Sequence, residues 1–502
     1  MRFNYFLVCL ISLALFSGVY YSPYIVHQYK YLVGFDVGYY VYKSMTQTFS
    51  FWDDPLFFSS VASLSSISGV DALEIFWALP VFFAAAILSL SVLILRNRFG
   101  LDLRKSILIV VLLTSFSLLF KGLYQAYYKQ IFATVLLMYY LDCLDRISSS
   151  YARSVLCAVI FSGIFLSHKG VALIAFLLTV FVYIKLHLRR ATVTGRVVLF
   201  GLVVFVIIGP YVLPLLGKYS AVLLDSINYS WSAISASGTD RLVAGRSLVS
   251  DVDSVNPFID LVSFIPLISV LALLGLFSIT LRSRNDFSAS FFAVVILSAW
   301  LLAGANFSNR FAFNLGFILI LFATYFLSTW NWNRRVALLC NSMILIVLLV
   351  SAIPFSMTQK PYLIKNTSGM EYVQASIPQD SAYIFASDYL MVTLGQLGYL
   401  SPLTDSQVIA DAQTGSEEGG LNLSQSDDFL ITGHTNLSLL QSTDFGNRTV
   451  YVMFGSWETS KGLPRSSISG NVDVVMWDNS LHYEKMYSGS NELIRIYRWR
   501  GY

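Results

Sequence analysis

The sequence predicts an α-helical polytopic membrane protein with a C-terminal extracytoplasmic α/β domain. Three observations predict it. Of 502 residues, 56% are apolar and only 12% charged, about half the charge that a soluble domain carries. Apolar runs of spanning length recur as far as Ile353, about eleven of them. After Pro354 the composition turns to Asp, Ser, Asn and Gly, and no such run recurs.

The spans fall at 4–22, 73–95, 106–120, 124–141, 153–167, 170–187, 197–216, 258–281, 287–304, 311–329 and 335–353. Arg2 precedes the first, which reads as a retained span because no small-x-small cleavage site stands before Tyr20 and Tyr21. Cations then collect in alternate gaps: Arg96, Arg98, Arg104 and Lys105; Arg146 and Arg153; Lys185, Arg189, Arg190 and Arg196; Arg282 and Arg284; Arg334 and Arg335. Cationic loops stay in the cytoplasm, so the N-terminus is expected inside and the tail outside. The net charge of +4 is accounted for by orientation, and it gives no reason to expect a nucleic-acid partner. Cys9, Cys143, Cys157 and Cys340 lie in or beside spans, which argues against a disulfide framework or a thiolate metal site. The sequons at Asn228, Asn306, Asn366, Asn422, Asn436 and Asn447 all fall on the expected external side, though a Ser- and Asn-rich surface also makes them by chance.

Residues 1–355 thus form the membrane domain, with long external loops at 23–72 and 218–257, and 356–502 form the soluble domain. In the latter, Ser368 with Glu371 three residues on is a capping-box signature for a helix to Ser376. Ala382 to Ala386, Phe429 to Thr432, Thr449 to Phe454 and Val472 to Trp477 read as strands, and His482 to Tyr487 with Leu493 to Arg498 as a hairpin.

The first external loop holds Gly34-Phe35-Asp36-Val37-Gly38-Tyr39-Tyr40-Val41-Tyr42-Lys43 and then Phe51-Trp52-Asp53-Asp54-Pro55. At helical spacing Phe35, Tyr39, Tyr42 and Phe49 make an aromatic stripe, and Asp36, Tyr40, Lys43 and Gln47 a polar one. This predicts an interfacial helix with its apolar side in the membrane. Asp36 at its start has two readings, a helix cap or a functional carboxylate.

An Asp soon after the first span, a Tyr-Tyr pair three and four residues on and a Trp-Asp-Asp-Pro beyond it resemble the GT-C fold glycosyltransferases, membrane enzymes that use polyprenyl-phosphate-linked sugars. The plan of the chain matches as well. The resemblance implies that Asp36 is the general base toward an acceptor on a glycan, lipid or protein, beside a polyprenyl-phosphate sugar donor and membrane lipid. It further implies cations for the leaving phosphate, for which Lys121, Lys129, His168, Lys169 and Arg310 stand at external span ends. His168 and Arg310 match best, although span-end cations also serve as membrane anchors. Tyr40 shares the polar face of Asp36. Gly238-Thr239-Asp240-Arg241 and Gly245-Arg246 make a polar loop that either closes over substrate or is simply flexible. Asp53 and Asp54 suit a divalent cation, Mg²⁺ or Mn²⁺, and equally the turn before Pro55.

The Trp-Trp-Asp signature of oligosaccharyltransferases is absent, which favours transfer of a single sugar over a whole glycan. A polymerase or ligase of lipid-linked glycan is the nearest alternative. A transporter fits less well, because most spans lack ionisable residues at mid-membrane and no internal repeat is visible.

Overall fold

The computed structural model describes residues 2–27, 30–32, 36–47, 54–99, 119, 122–123, 127–144, 150–189, 195–210, 272–279, 291, 293–294, 308–329, 368–386, 388–401, 423–443, 445–455, 471–488 and 494–501. In chain order these include α1 (Arg2–His27), α2 (Val37–Thr46), α3 (Pro55–Ser68), α4 (Ala72–Phe99), α5 (Tyr128–Leu144), α6 (Tyr151–Ser167) and α7 (Lys169–Arg189). Next come α8 (Gly195–Pro210), α9 (Ser308–Thr329), α10 (Ser368–Ser376), β1 (Ala382–Ala386), α11 (Asp388–Gln396), α12 (Leu423–Thr432) and α13 (Ser438–Ser442). β2 (Thr449–Gly455), α14 (Val474–Asp478), β3 (Tyr483–Ser488) and β4 (Ile494–Trp499) complete the chain.

The chain packs as two units. One comprises Met1–Tyr20, Leu79–Leu123 and Tyr127–Ser356, and the other Tyr21–Ala78, Tyr124–Ala126 and Met357–Tyr502. The segment around α2 and α3 therefore folds with the C-terminal tail.

In the first unit α5, α6 and α7 pack on one another, and α9 packs on α5 and α7. Buried polar groups tie α5 to α9: the Gln130 amide donates to Asn314 Oδ1 at 3.0 Å, and the Thr134 hydroxyl donates to the same oxygen at 2.9 Å. Between apolar helices such bonds specify which faces meet, because lipid offers no competing partner. A small residue works likewise at Gly275, where a Cβ would stand 2.0 Å from the Phe322 carbonyl oxygen. Among the described residues one helix, Ala72–Asn97, is long and apolar enough to cross a membrane, and Tyr151–Ser167, Lys169–Ile184, Gly195–Pro210 and Phe313–Phe326 are shorter apolar helices. The expected spans at 106–120 and 335–353 lie almost wholly or wholly outside the described residues.

The second unit is built on a mixed sheet in the order β1-β2-β4-β3, with β1 and β2 parallel and the remaining pairs antiparallel. Alternation sorts its side chains onto two faces. Ala382, Ile384, Tyr451, Met453, Ile494 and Ile496 meet α10 and α11 on one face. Tyr383, Phe385, Val450, Val452, Phe454 and Tyr497 meet α12, α13 and α14 on the other. Both faces being covered, β1 and β2 read as nearly unbroken apolar runs.

The expected helix from Ser368, the strands at Ala382 and Thr449 and the closing hairpin are present. Two expected strands are not. Phe429 to Thr432 is the last turn of α12, and Val474 to Trp477 lies in α14. A short apolar run has no decisive period, so helix and strand are not separable there. At α14 the arbiter is Asp473, whose carboxylate accepts from the backbone N–H of Val475 at 2.9 Å and of Met476 at 3.3 Å, an N-cap that closes the first turn.

Candidate active site around Asp36

Helix α2 is the element that carries the candidate base. It differs from the expected interfacial helix: the middle of its polar stripe is buried, Tyr40 being 6% and Lys43 1% exposed, while Asp36 is half-buried and Gln47 exposed. The reason is that α2 lies against α11 and α3. Tyr39 and Tyr40 set their rings edge-on to Phe58, and Tyr40 also meets Phe57. The Lys43 ammonium stands 5.3 Å from the centre of the Tyr39 ring, a distance at which the ring face attracts a cation.

Asp36 occupies the N-cap position of α2, yet its side chain makes no capping hydrogen bond and its backbone is helical, φ −85° and ψ −2°. Its carbonyl oxygen begins the helix by accepting from the Tyr40 N–H at 3.0 Å. Its carboxylate faces Tyr40, whose hydroxyl donates to Oδ2 at the long distance of 3.4 Å. An aspartate at a helix start would ordinarily turn to the free N–H groups of the first turn. This one turns to a phenol.

Asp54 is the next carboxylate of this loop that the structure describes. It precedes α3 in the left-handed region, φ 61° and ψ 67°, is 8% exposed and also makes no side-chain cap. Backbone in that region costs a non-glycine residue about 1 kcal/mol or more and tends to persist where a site requires it. Asp53, beside it, lies outside the described residues. Among the described residues no group of three or more His, Cys, Asp or Glu forms a metal cluster.

The phosphate-binding candidates that the structure describes belong to the first unit. His168 ends α6, and its Nδ1 accepts from the Val171 N–H at 3.3 Å. The ring thus caps the start of α7, which in the neutral imidazole leaves the proton on Nε2. Lys169 opens α7, and Arg310 lies in the first turn of α9, one turn before Asn314. Lys121, Arg241 and Arg246 lie outside the described residues. The structure therefore joins Asp36 with Tyr40 and places His168 next to Lys169. Lys43 escaped the candidate set, although its position seven residues after Asp36 already set it on the same stripe.

No family model matches the sequence, and no curated protein matches it. Among solved structures the chain is similar to the archaeal oligosaccharyltransferase AglB from Archaeoglobus fulgidus in complex with an inhibitory peptide and a dolichol-phosphate. Identity is 12% and the TM-score 0.57, over 98% of this chain and 74% of that one. It is also similar to the Archaeoglobus fulgidus oligosaccharyltransferase in its apo form, at 12% identity and a TM-score of 0.53, over 97% and 74%. At such identity the likeness speaks for the fold alone, which this chain shares with those two structures.

Proposed function

We propose that this chain is an integral membrane glycosyltransferase that moves a sugar from a polyprenyl-phosphate donor to an acceptor on the extracytoplasmic face, with Asp36 as general base. The observation that carries the reading is the Asp36 carboxylate, placed at a helix start but not used to cap it, in a chain with the fold of an oligosaccharyltransferase. Dolichol-phosphate is bound in the AglB structure, which supports a lipid phosphate as the donor's leaving group here. The missing Trp-Trp-Asp favours a single sugar as the group transferred.

In this reading the acceptor hydroxyl gives its proton to a carboxylate oxygen of Asp36 as its oxygen bonds to the anomeric carbon. The bond from that carbon to the phosphate oxygen breaks, and the polyprenyl phosphate leaves with the electron pair. Arg310, Lys169, Lys121 and the Nε2–H of His168 are assigned to the charge that develops there. Tyr40 orients the base, Arg241 and Arg246 are assigned to substrate, and Asp53 with Asp54 would hold a divalent cation, Mg²⁺ or Mn²⁺. Arginine matches a phosphate with two parallel donors where lysine offers a point charge, so donor use should fall further in Arg310→Ala than in Arg310→Lys.

Full-length protein extracted from membranes should transfer label from one of a series of radiolabelled polyprenyl-phosphate sugars to a hydroxyl acceptor. Solute uptake by proteoliposomes without any such transfer would instead establish a transporter.

A further inference from the structure

Asp36 is bracketed by two neighbouring residues of α11, which lies more than 350 residues away in sequence. On its N-terminal side Leu32 is held by Gln396: Oε1 accepts from the Leu32 N–H at 2.8 Å, and Nε2 donates to the Leu32 carbonyl at 2.9 Å. All four groups are buried, and the side-chain amide pairs with the backbone as a strand neighbour would. On its C-terminal side Gly38 is crossed by Gly395 so closely that a Cβ on Gly395 would lie 2.6 Å from the Gly38 carbonyl carbon. Nothing there can yield except the backbone of α2.

The support behind α11 is itself anchored. The Gln379 amide donates to the Leu397 carbonyl at 2.6 Å, and the Tyr399 hydroxyl shares its one proton between the carbonyls of Val373 and Ile377 at 3.0 and 2.8 Å, tying the end of α11 to α10. Tyr31 continues the connection by entering the core between these helices and the sheet.

We infer that Gln396 and Gly395 are positioning residues for Asp36: the C-terminal α/β domain serves the reaction by fixing where the base stands. This rests on the proposed role of Asp36. Removing the clamp leaves the base chemically intact but lets it wander, and misplacement by about 1 Å costs on the order of a hundredfold in rate. Binding of the donor should hardly change. The amide is also informative chemically, because a neutral carboxylic acid can accept and donate as an amide does, whereas a carboxylate cannot donate and repels the Leu32 carbonyl.

The test uses the full chain in nanodiscs, with whichever labelled polyprenyl-phosphate hexose the wild type turns over. In Gln396→Met, kcat should fall by about tenfold or more with the donor KM within about twofold. Amide exchange should rise across 31–46 and stay unchanged in β1 and β2. Gln396→Glu should be equally slow at neutral pH and recover relative to wild type as the medium is acidified towards about pH 5, since burial raises a carboxyl pKa, whereas Gln396→Met should not recover. Gly395→Ala should reproduce the kcat loss by displacing α2. An active wild type whose Gln396→Met variant keeps normal kcat, or normal exchange over 31–46, would overturn the positioning role alone. A wild type that turns over none of the donors would instead overturn the reading of Asp36 and the inference with it, while the exchange data would still show whether the clamp orders the segment.

Discussion

Asp473 and Asp36 both stand at helix starts in the same unit, and they are put to different uses. Asp473 gives its carboxylate to the N–H groups of Val475 and Met476 and so starts α14. Asp36 stands at the equivalent place before α2 and makes no such bond, its carboxylate facing the Tyr40 hydroxyl instead. Asp71 resembles the first case, accepting from the Leu73 N–H at 2.8 Å as α4 begins. In this unit an aspartate that caps a helix is recognisable by the N–H groups it accepts from, and Asp36, like Asp54, makes no such bond. His168 divides its two nitrogens: Nδ1 caps α7, and Nε2 carries the role proposed above.

Substitutions around α14 sharpen the contrast, beginning with the largest effect. Trp477 is buried among Phe429, Phe454, Tyr483 and Tyr497, and its Nε1–H donates to the Leu430 carbonyl at 3.1 Å. Trp477→Ala should cost the soluble domain about 3–5 kcal/mol, seen as a lowered free energy of opening by hydrogen exchange in β2 and β4. Asp473→Ala should cost about 1 kcal/mol, while Asp473→Asn costs little, because Asn caps nearly as well. Asp36→Ala should leave the opening of α2 within about 0.5 kcal/mol of wild type. A loss in Asp36→Ala matching that of Asp473→Ala would erase the distinction.

Next in size is a pH dependence set by one pair beside α14. Asp478 is partly desolvated, but hydrogen bonds from Lys485 and Tyr497, with the charges of Lys485 and Arg495, outweigh that cost and hold its pKa below the usual carboxylate range. Burial, and then the bond to Asp478, pushes the Tyr497 phenol up. A lowered carboxyl contributes stability that is complete above its unfolded value of about 4 and is lost as pH falls through the folded one. A raised phenol contributes stability that is complete below about pH 10 and is lost as pH rises further. Asp478→Asn should therefore flatten the acid limb of a stability profile of the full chain and leave the shape between about pH 5 and 9 unchanged. The smallest effect belongs to Lys30 and Glu371, paired at 2.9 Å but both mostly exposed. Lys30→Ala should change stability by only a few tenths of a kcal/mol, measured by the same exchange experiment.

The sequence makes much of the C-terminal sheet legible, and the structure shows why some details escape it. β1 and β2 are readable because their apolar runs are bounded by turn residues and must cover two faces of a sheet, and the β3–β4 hairpin is readable by the Ser-Gly-Ser-Asn between its expected strands. Phe429 to Thr432 and Val474 to Trp477 have the same local composition, and what makes them helical lies elsewhere: the preceding turns of α12 in one case, the Asp473 carboxylate in the other. At the candidate site the spacing of Asp36, Tyr40 and Lys43 is readable, and the burial of Tyr40 and Lys43 is not, because α11, which packs on α2, comes from the far end of the chain. Gln396 carries no local signal at all. Its partner is a backbone group, which any residue at position 32 except proline would present with the same donor and acceptor.

The central claim is that the Asp36 carboxylate acts on a proton and not on the helix. Asp36→Asn keeps size and hydrogen-bonding capacity while abolishing proton affinity, so it isolates the two roles in one substitution. Sugar transfer by the purified full-length variant, measured from the labelled polyprenyl-phosphate donor that wild type uses, should fall by about a hundredfold or more, with membrane insertion and α2 exchange unchanged. Near-normal transfer by Asp36→Asn would contradict the account and move the search for the base to Asp53 and Asp54.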